Sequence, residues 1–204
     1  MAFISNGTTI LDNGAFSVSL GSKVLIKEIT ASADATISFV DGTADVVLDS
    51  TYPIYEFEFI NMHPATNDAN FTFNMSVDTG SNYNVVKTTS FFLAGNKEND
   101  SGTVFAYSTT YDASQSTAFI NITEAMSIAS DNGVSGTLQI FNPSSATFVK
   151  HFICTNNHSG SGYSLNNFVA GYGNTTSAIN AVQFKMSSGN IDSGTIKLYG
   201  IKDS

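Results

Sequence analysis

VQFKMSSGNIDSGTIKLYGI, residues 182–201, is the stretch whose reading decides the fold. Val182, Phe184 and Met186 alternate with Gln183 and Lys185, and Ile196 and Leu198 alternate with Thr195, Lys197 and Tyr199. A period of two sends successive side chains to opposite faces, so each run predicts a strand with one buried side. The connecting SSGNIDSG carries Gly189-Asn190 and Ser193-Gly194, pairs that reach positive φ at low cost. The expected element is a C-terminal β-hairpin of Phe184, Met186, Gly189, Asn190, Gly194, Ile196, Leu198 and Tyr199, with Ile196 and Leu198 packed inward opposite Phe184.

The same alternation recurs upstream. Strands are expected at KVLIKEITA (23–31), TISFV (36–40) and DVVLD (45–49), with Asp41-Gly42 as a hairpin turn between the last two. In YPIYEFEFINM (52–62), Tyr55, Phe57 and Phe59 share one face and Glu56 and Glu58 the other, until His63-Pro64 ends the run. FTFNMSV (71–77) sets Phe71, Phe73, Met75 and Val77 against Thr72, Asn74 and Ser76. Further strands are expected at 84–94, 103–109, 136–142, 147–155 and 166–172. Between Ser116 and Ala129, Phe119, Ile122, Met126 and Ala129 fall at helical spacing, while Ile120, Ile122 and Thr123 favour a strand, and the strand is preferred. NNHSGSGY (156–163) reads as a loop, and the opening segment, with Phe3, Ile4, Ile10 and Leu11, is broken at Asn6-Gly7 and Asn13-Gly14.

Short strands at this spacing, with no repeat or linker to divide them, predict an all-β chain. The expectation is a single antiparallel β-sandwich, jelly-roll-like, over residues 1–204, with residues 1–22 as an N-terminal arm. Sixteen Phe and eight Tyr supply a core, while charged residues make up only 12% of the chain. With 8 basic and 17 acidic residues, a net charge of −9 and no Lys/Arg cluster, nucleic acid is excluded as an expected partner. No stretch approaches a membrane span and the N-terminus lacks the n- and h-regions of a secretory signal, so folding in a cytoplasm without membrane insertion is expected. Cys154, alone of its kind, sits in a strand pattern as a small core residue.

Two motifs carry resemblances. The C-terminal run, with its SSGNI, SGT and LYGI segments, resembles the terminal signature of small virion structural proteins of tailed bacteriophages, especially marine ones. Ser76-x-Asp78-x-Gly80-x-x-Tyr83 resembles the Asp box, SxDxGxTW, with Asn82 for Thr and Tyr83 for Trp. In that motif the Asp accepts turn amides, the Gly is left-handed and the ring packs beneath, so a folding role is implied for Ser76, Asp78, Gly80 and Tyr83.

Residues that carry chemistry are sparse. His63, His151 and His158 have no metal-ligand spacing, and there is no nucleophile elbow, phosphate loop or dinucleotide fingerprint. Glu56 and Glu58, neighbours on one strand face, read as a solvated sheet surface and not as an acid/base pair. Asp41, Asp45 and Asp49 lie near turns without an ordered cation loop, so neither metal nor cofactor is expected. The phage resemblance implies a non-enzymatic virion structural protein, a capsid-decoration or tail component assembled in the host cytoplasm. Its expected partners are other virion proteins and copies of itself, as a homo-oligomer with a trimer first. The alternative is a carbohydrate- or receptor-binding module of a tail fibre or tip that meets a cell-surface glycan. The sequence has no Trp for sugar stacking, but Tyr107, Tyr111, Tyr163 and Tyr172 offer substitute platforms. Residues 95–135 suggest no role of their own.

Overall fold

A computed structural model of the chain describes residues 3–5, 8–12, 15–16, 22–160 and 162–202. In chain order the strands are β1 (Phe3–Ser5), β2 (Thr8–Asp12), β3 (Ala15–Phe16), β4 (Lys23–Asp34), β5 (Ile37–Val40), β6 (Ile54–Pro64), β7 (Phe71–Ser76) and β8 (Lys87–Lys97). There follow β9 (Thr103–Tyr107), β10 (Ala113–Ser116), β11 (Ile120–Asn121), β12 (Val134–Phe141), β13 (Lys150–Gly160), β14 (Tyr163–Gly173), β15 (Ala181–Met186) and β16 (Ile191–Ile201). A nine-stranded sheet runs β10-β8-β14-β13-β12-β6-β16-β4, with β9 sharing the outer edge of β8 with β10. A four-stranded sheet, β11-β7-β15-β5, covers part of its inner face, and the described pairings are antiparallel. The chain is therefore an all-β antiparallel sandwich of unequal sheets. The short strands β1, β2 and β3 pair with one another, and the Asn-Gly breaks between them lie outside the described residues, as does much of the expected arm.

The core is aromatic and Phe184 is its hub. Its ring centroid lies 5.2 Å from that of Phe57, 5.3 Å from Phe59, 5.8 Å from Phe71, 6.3 Å from Phe39 and 6.4 Å from Phe73. These rings come from β5, β7 and β15 on one sheet and β6 on the other, so edge-to-face aromatic packing joins the layers. Phe73 reaches Phe152 of β13 at 5.0 Å and extends the contact across the large sheet.

The C-terminal segment corrects the sequence reading. β15 and β16 are not a hairpin: β15 pairs with β5 and β7 in the small sheet, whereas β16 lies between β4 and β6 in the large one. Residues 187–190 carry the chain from one layer to the other. The crossing is tied down by Asn190 Nδ2 donating to Ala33 O at 2.7 Å, Ala65 N to Asn190 O at 3.0 Å and Asn70 N to Ser187 Oγ at 2.9 Å. Ile196 and Leu198 do face the layer that holds Phe184, and all three are fully buried. An arch between sheets and a hairpin within one give the same alternation, so period alone does not separate them. Gly194, at φ 119°, sits where β16 slips register against β6, and a Cβ there would press on the backbone of Met62 at 2.7 Å.

Other expectations shift as well. DVVLD forms no strand: Gly42 N donates to Val46 O at 3.0 Å and Leu48 N to the Asp41 carboxylate at 2.8 Å, so its backbone is used by the turn while Val46 and Leu48 fill the core. Asp41-Gly42 turns without making a hairpin, and β5 takes β15 as its partner. Residues 156–160 and 163, read as loop, belong to β13 and β14, which pair closely up to Gly160 and Tyr163. The 116–129 segment has no helix; its strand residues are Ser116, the end of β10, and the two-residue β11. Its amides are claimed elsewhere: Ile122 N donates to Phe71 O and Met126 N to Ala69 O, both at 2.9 Å.

Candidate functional site

Three regions combine exposure with chemistry. The first is the outer face of the large sheet, away from the small one. Register places Phe92 of β8 between Phe168 of β14 and Tyr107 of β9. The Phe92 and Phe168 rings stack at 4.8 Å and 9°, and Phe105 meets Phe92 edge-on at 6.1 Å. Phe105 is 79% exposed and Tyr107 55%, and Ile153 of β13 adds a half-exposed aliphatic side chain to the same face. Tyr172 and His151 lie further along it, their rings 6.1 Å apart. At the opposite end, toward β4, the face is ionic. Lys23 Nζ sits 2.6 Å from both Glu56 and Glu58, and Gln139 Nε2 donates to Glu56 at 2.6 Å. Two carboxylates clamped on one ammonium form an ion-pair cluster on a sheet face; Glu58 is partly exposed, whereas Glu56, read from sequence as solvated, is buried beneath Lys23 and Gln139.

The second region is a hollow of about 490 Å³ on the inner side, beneath β9. Leu93, Val104, Ala106 and Leu165, from β8, β9 and β14, make its floor. Tyr163, Glu124 and the run Ser108-Thr109-Thr110 make its wall, and Tyr107, at the end of β9, borders its rim. Glu124 projects from the irregular 122–126 segment. Burial raises its carboxyl above the ordinary value, and among the described residues no hydrogen bond or ion pair reaches it. The neighbouring Tyr111 is raised by burial and by the Glu124 charge, and its ring packs on Phe91 at 5.4 Å. Lys97 Nζ rests 5.2 Å from the Tyr163 ring centre, and Tyr107 Oη donates to Asp112 at 2.7 Å. Of the four tyrosines suggested by sequence, Tyr107 and Tyr163 border the hollow, Tyr111 packs on Phe91 in the core, and Tyr172 lies on the outer face. Glu124 was not singled out by sequence reading, since an isolated acid in an irregular segment carries no periodic or motif signal.

The third region is a polar cavity of about 740 Å³ at the end of the sandwich, where His63, Asp131, Asn132 and Asp192 meet. His63 Nδ1 stands 3.3 Å from Asp192 Oδ2 and Nε2 3.2 Å from Ala129 O, so both ring nitrogens face acceptors. Among the described residues no three His, Cys, Asp or Glu side chains gather as a metal would require.

The remaining predicted residues are structural in their contacts. Ser76 Oγ donates to Asp78 Oδ1 at 2.6 Å, and Asp78 accepts from Asn82 N at 2.9 Å and Asn82 Nδ2 at 2.7 Å. These bonds hold its carboxyl down at about 2, with Ser76 the largest cause. Gly80 is left-handed at φ 77°, and a Cβ there would lie 2.8 Å from Tyr83 Oη, so the ring closes the turn from below. His158 is fully buried, and desolvation brings it down to about 4. Its Nδ1 lies 3.0 Å from Asn167 Nδ2, which also donates to Asn156 Oδ1 at 2.9 Å, and Asn156 in turn donates to Ile122 O at 2.6 Å. Cys154 is fully buried, its thiol pushed up to about 12 by desolvation, which leaves no thiolate to react.

No protein-family model matches the chain, and no curated protein matches it. Among solved structures it is similar to a protein of unknown function from Bacteroides ovatus, at 8% identity and a TM-score of 0.28, over 51% of this chain and 45% of that one. The matched part thus spans less than half of that protein.

Proposed function

We propose that this chain is a non-enzymatic structural component of a bacteriophage virion, a capsid-decoration or tail protein assembled in the host cytoplasm, and that it acts by packing copies of itself through the outer face of its large sheet. The observation that carries this reading is the uncharged aromatic row Phe105-Phe92-Phe168, with Tyr107 and Ile153 beside it, exposed or half-exposed on the outer face of the large sheet. Contiguous apolar surface of this kind marks an association site, and identical chains associate most often with closed rotational symmetry. The terminal SSGNI, SGT and LYGI segments support a virion role, and the scarcity of charge suits a surface that is covered in the particle.

The test is sedimentation of the purified protein beside Phe105→Glu. An oligomer, a trimer first, is expected for the native chain, and the charged variant is expected to sediment as a folded monomer. Electron microscopy of intact particles carrying labelled protein would then place it on capsid or tail. A native chain that stays monomeric at high concentration, and occupies isolated positions on the particle, would overturn the reading.

A further inference from the structure

The hollow beneath β9 faces the other side of the sheet from the aromatic row, so self-association leaves it unexplained. Its walls divide into two chemistries. The floor of Leu93, Val104, Ala106 and Leu165 is apolar, and Tyr163 adds a ring at one end. Opposite lie the hydroxyls of Ser108, Thr109 and Thr110, for which no hydrogen bond exists among the described residues, and the Glu124 carboxylate, which likewise has none. Glu124 is only partly buried and its oxygens are open to solvent, so its acceptor capacity is free for donors that a ligand brings. At about 490 Å³ the space falls within the range of ~300–1,000 Å³ usual for small-molecule sites.

We infer that this hollow binds a neutral sugar ring, with Glu124 accepting from adjacent hydroxyls while the ring's C–H face lies on Tyr163 and the apolar floor. A pyranose has both faces that the hollow asks for: an edge of hydroxyls that donate and accept, and an apolar face that packs on aromatic and aliphatic carbon. A cationic amine would satisfy Glu124 as well, but Lys97 Nζ already stands over the Tyr163 ring and would repel it. Three neighbouring hydroxyls also match several sugar hydroxyls better than a single ammonium.

The experiment titrates the full chain with methyl glycosides of glucose, galactose, mannose and N-acetylglucosamine. Binding is followed by tyrosine fluorescence, which no Trp obscures, and by amide and methyl NMR shifts. At least one glycoside is expected to bind at millimolar concentration, moving the signals of Val104, Ala106 and Leu165 and leaving those of Asn132 and Ser135 in the polar cavity still. Glu124→Gln, nearly identical in shape, should weaken that binding about tenfold by removing a charged acceptor. Its sedimentation should be unchanged, so the outcome is read apart from self-association. The shift map on the native chain answers the question even if the variant folds poorly. The inference is overturned if none of the four glycosides binds, if shifts appear only outside the hollow, or if n-butylammonium binds there while the sugars do not.

Discussion

Replacing Phe184 with alanine tests whether one ring joins the two layers. Phe184 is fully buried and stands within 6.4 Å of five other phenylalanine rings, one of them from the large sheet's Phe57 at 5.2 Å and another from Phe59 at 5.3 Å. Core Phe→Ala changes cost about 3–5 kcal/mol through lost transfer energy and the cavity left behind. Aromatic pairs add ~0.5–1.5 kcal/mol each beyond area, though not additively at one hub. A cost near the upper end, about 4–5 kcal/mol, is therefore expected, against a typical total of ~5–15 kcal/mol. At ~2–4 °C per kcal/mol for a chain of this size, Tm should fall by roughly 8–20 °C. Urea unfolding, followed by far-ultraviolet circular dichroism and tyrosine fluorescence, gives the free energy by linear extrapolation. Phe105→Ala is the internal control: at 79% exposure it should change stability by no more than about 0.5 kcal/mol. If Phe184→Ala does not fold, Phe184→Leu should still fold and cost about 1–1.5 kcal/mol. A loss below about 1 kcal/mol for Phe184→Ala, or equal losses at positions 184 and 105, would refute an aromatic hub between the sheets.

Leu198→Ala should cost about 2–5 kcal/mol, because its side chain is fully buried in the strand that β4 and β6 enclose; a denaturation midpoint equal to the native one would contradict that placement. The Asp78 carboxyl is held down at about 2, below its ordinary 3.8, so its stabilisation is complete above pH 3.8 and disappears as pH falls toward 2. Asp78→Asn should remove that part of the acid dependence, read from Tm between pH 2 and 5, and leave self-association unaltered. Lys87 lies fully buried, its Nζ on Asn74 Oδ1 and Val85 O at 2.5 Å, and desolvation brings it from 10.5 down to about 8. The unfolded chain binds the extra proton between those values, so stability should rise from pH 8 toward 10 by up to about 3 kcal/mol, and Lys87→Met should abolish that rise. Cys154 should resist iodoacetamide at pH 8 until the chain unfolds, as mass spectrometry of native and urea-treated protein would show.

How much of this was legible depends on which forces act locally. The strands at Lys23, Ile54, Phe71 and Thr103 were readable because each carries the period of two, and the Asp78 turn because its residues bond mainly to one another over a few positions. DVVLD was misread because its amides turn back on Asp41 and Thr43, contacts that a hydrophobic pattern does not encode. NNHSGSGY was misread for the opposite reason. Polarity normally marks a loop, yet here Asn167 Nδ2 bonds both Asn156 Oδ1 and His158 Nδ1 inside the sandwich, while His158 Nε2 and Asn167 Oδ1 stay buried without a partner, so polar residues occupy inward strand positions.

The aromatic row shows where pattern and function part company. In SFFLAG the adjacent Phe91 and Phe92 cannot share a face, and in TVFAY the alternate Phe105 and Tyr107 must. One phenylalanine of the first pair therefore had to point away from the core, and that much was present in the sequence. What the sequence withheld was strand order: only when β9, β8 and β14 lie side by side do Phe105, Phe92 and Phe168 become one row. The same neighbours place Leu93, Val104 and Leu165 on the inner side, beyond the cover of the small sheet, and so open the hollow that Glu124 enters. A single choice of strand order thus builds both surfaces, back to back on β8, β9 and β14. A strand-pairing change along β8 should disturb the proposed oligomer and the proposed sugar site together, whereas Phe105→Glu and Glu124→Gln should separate them.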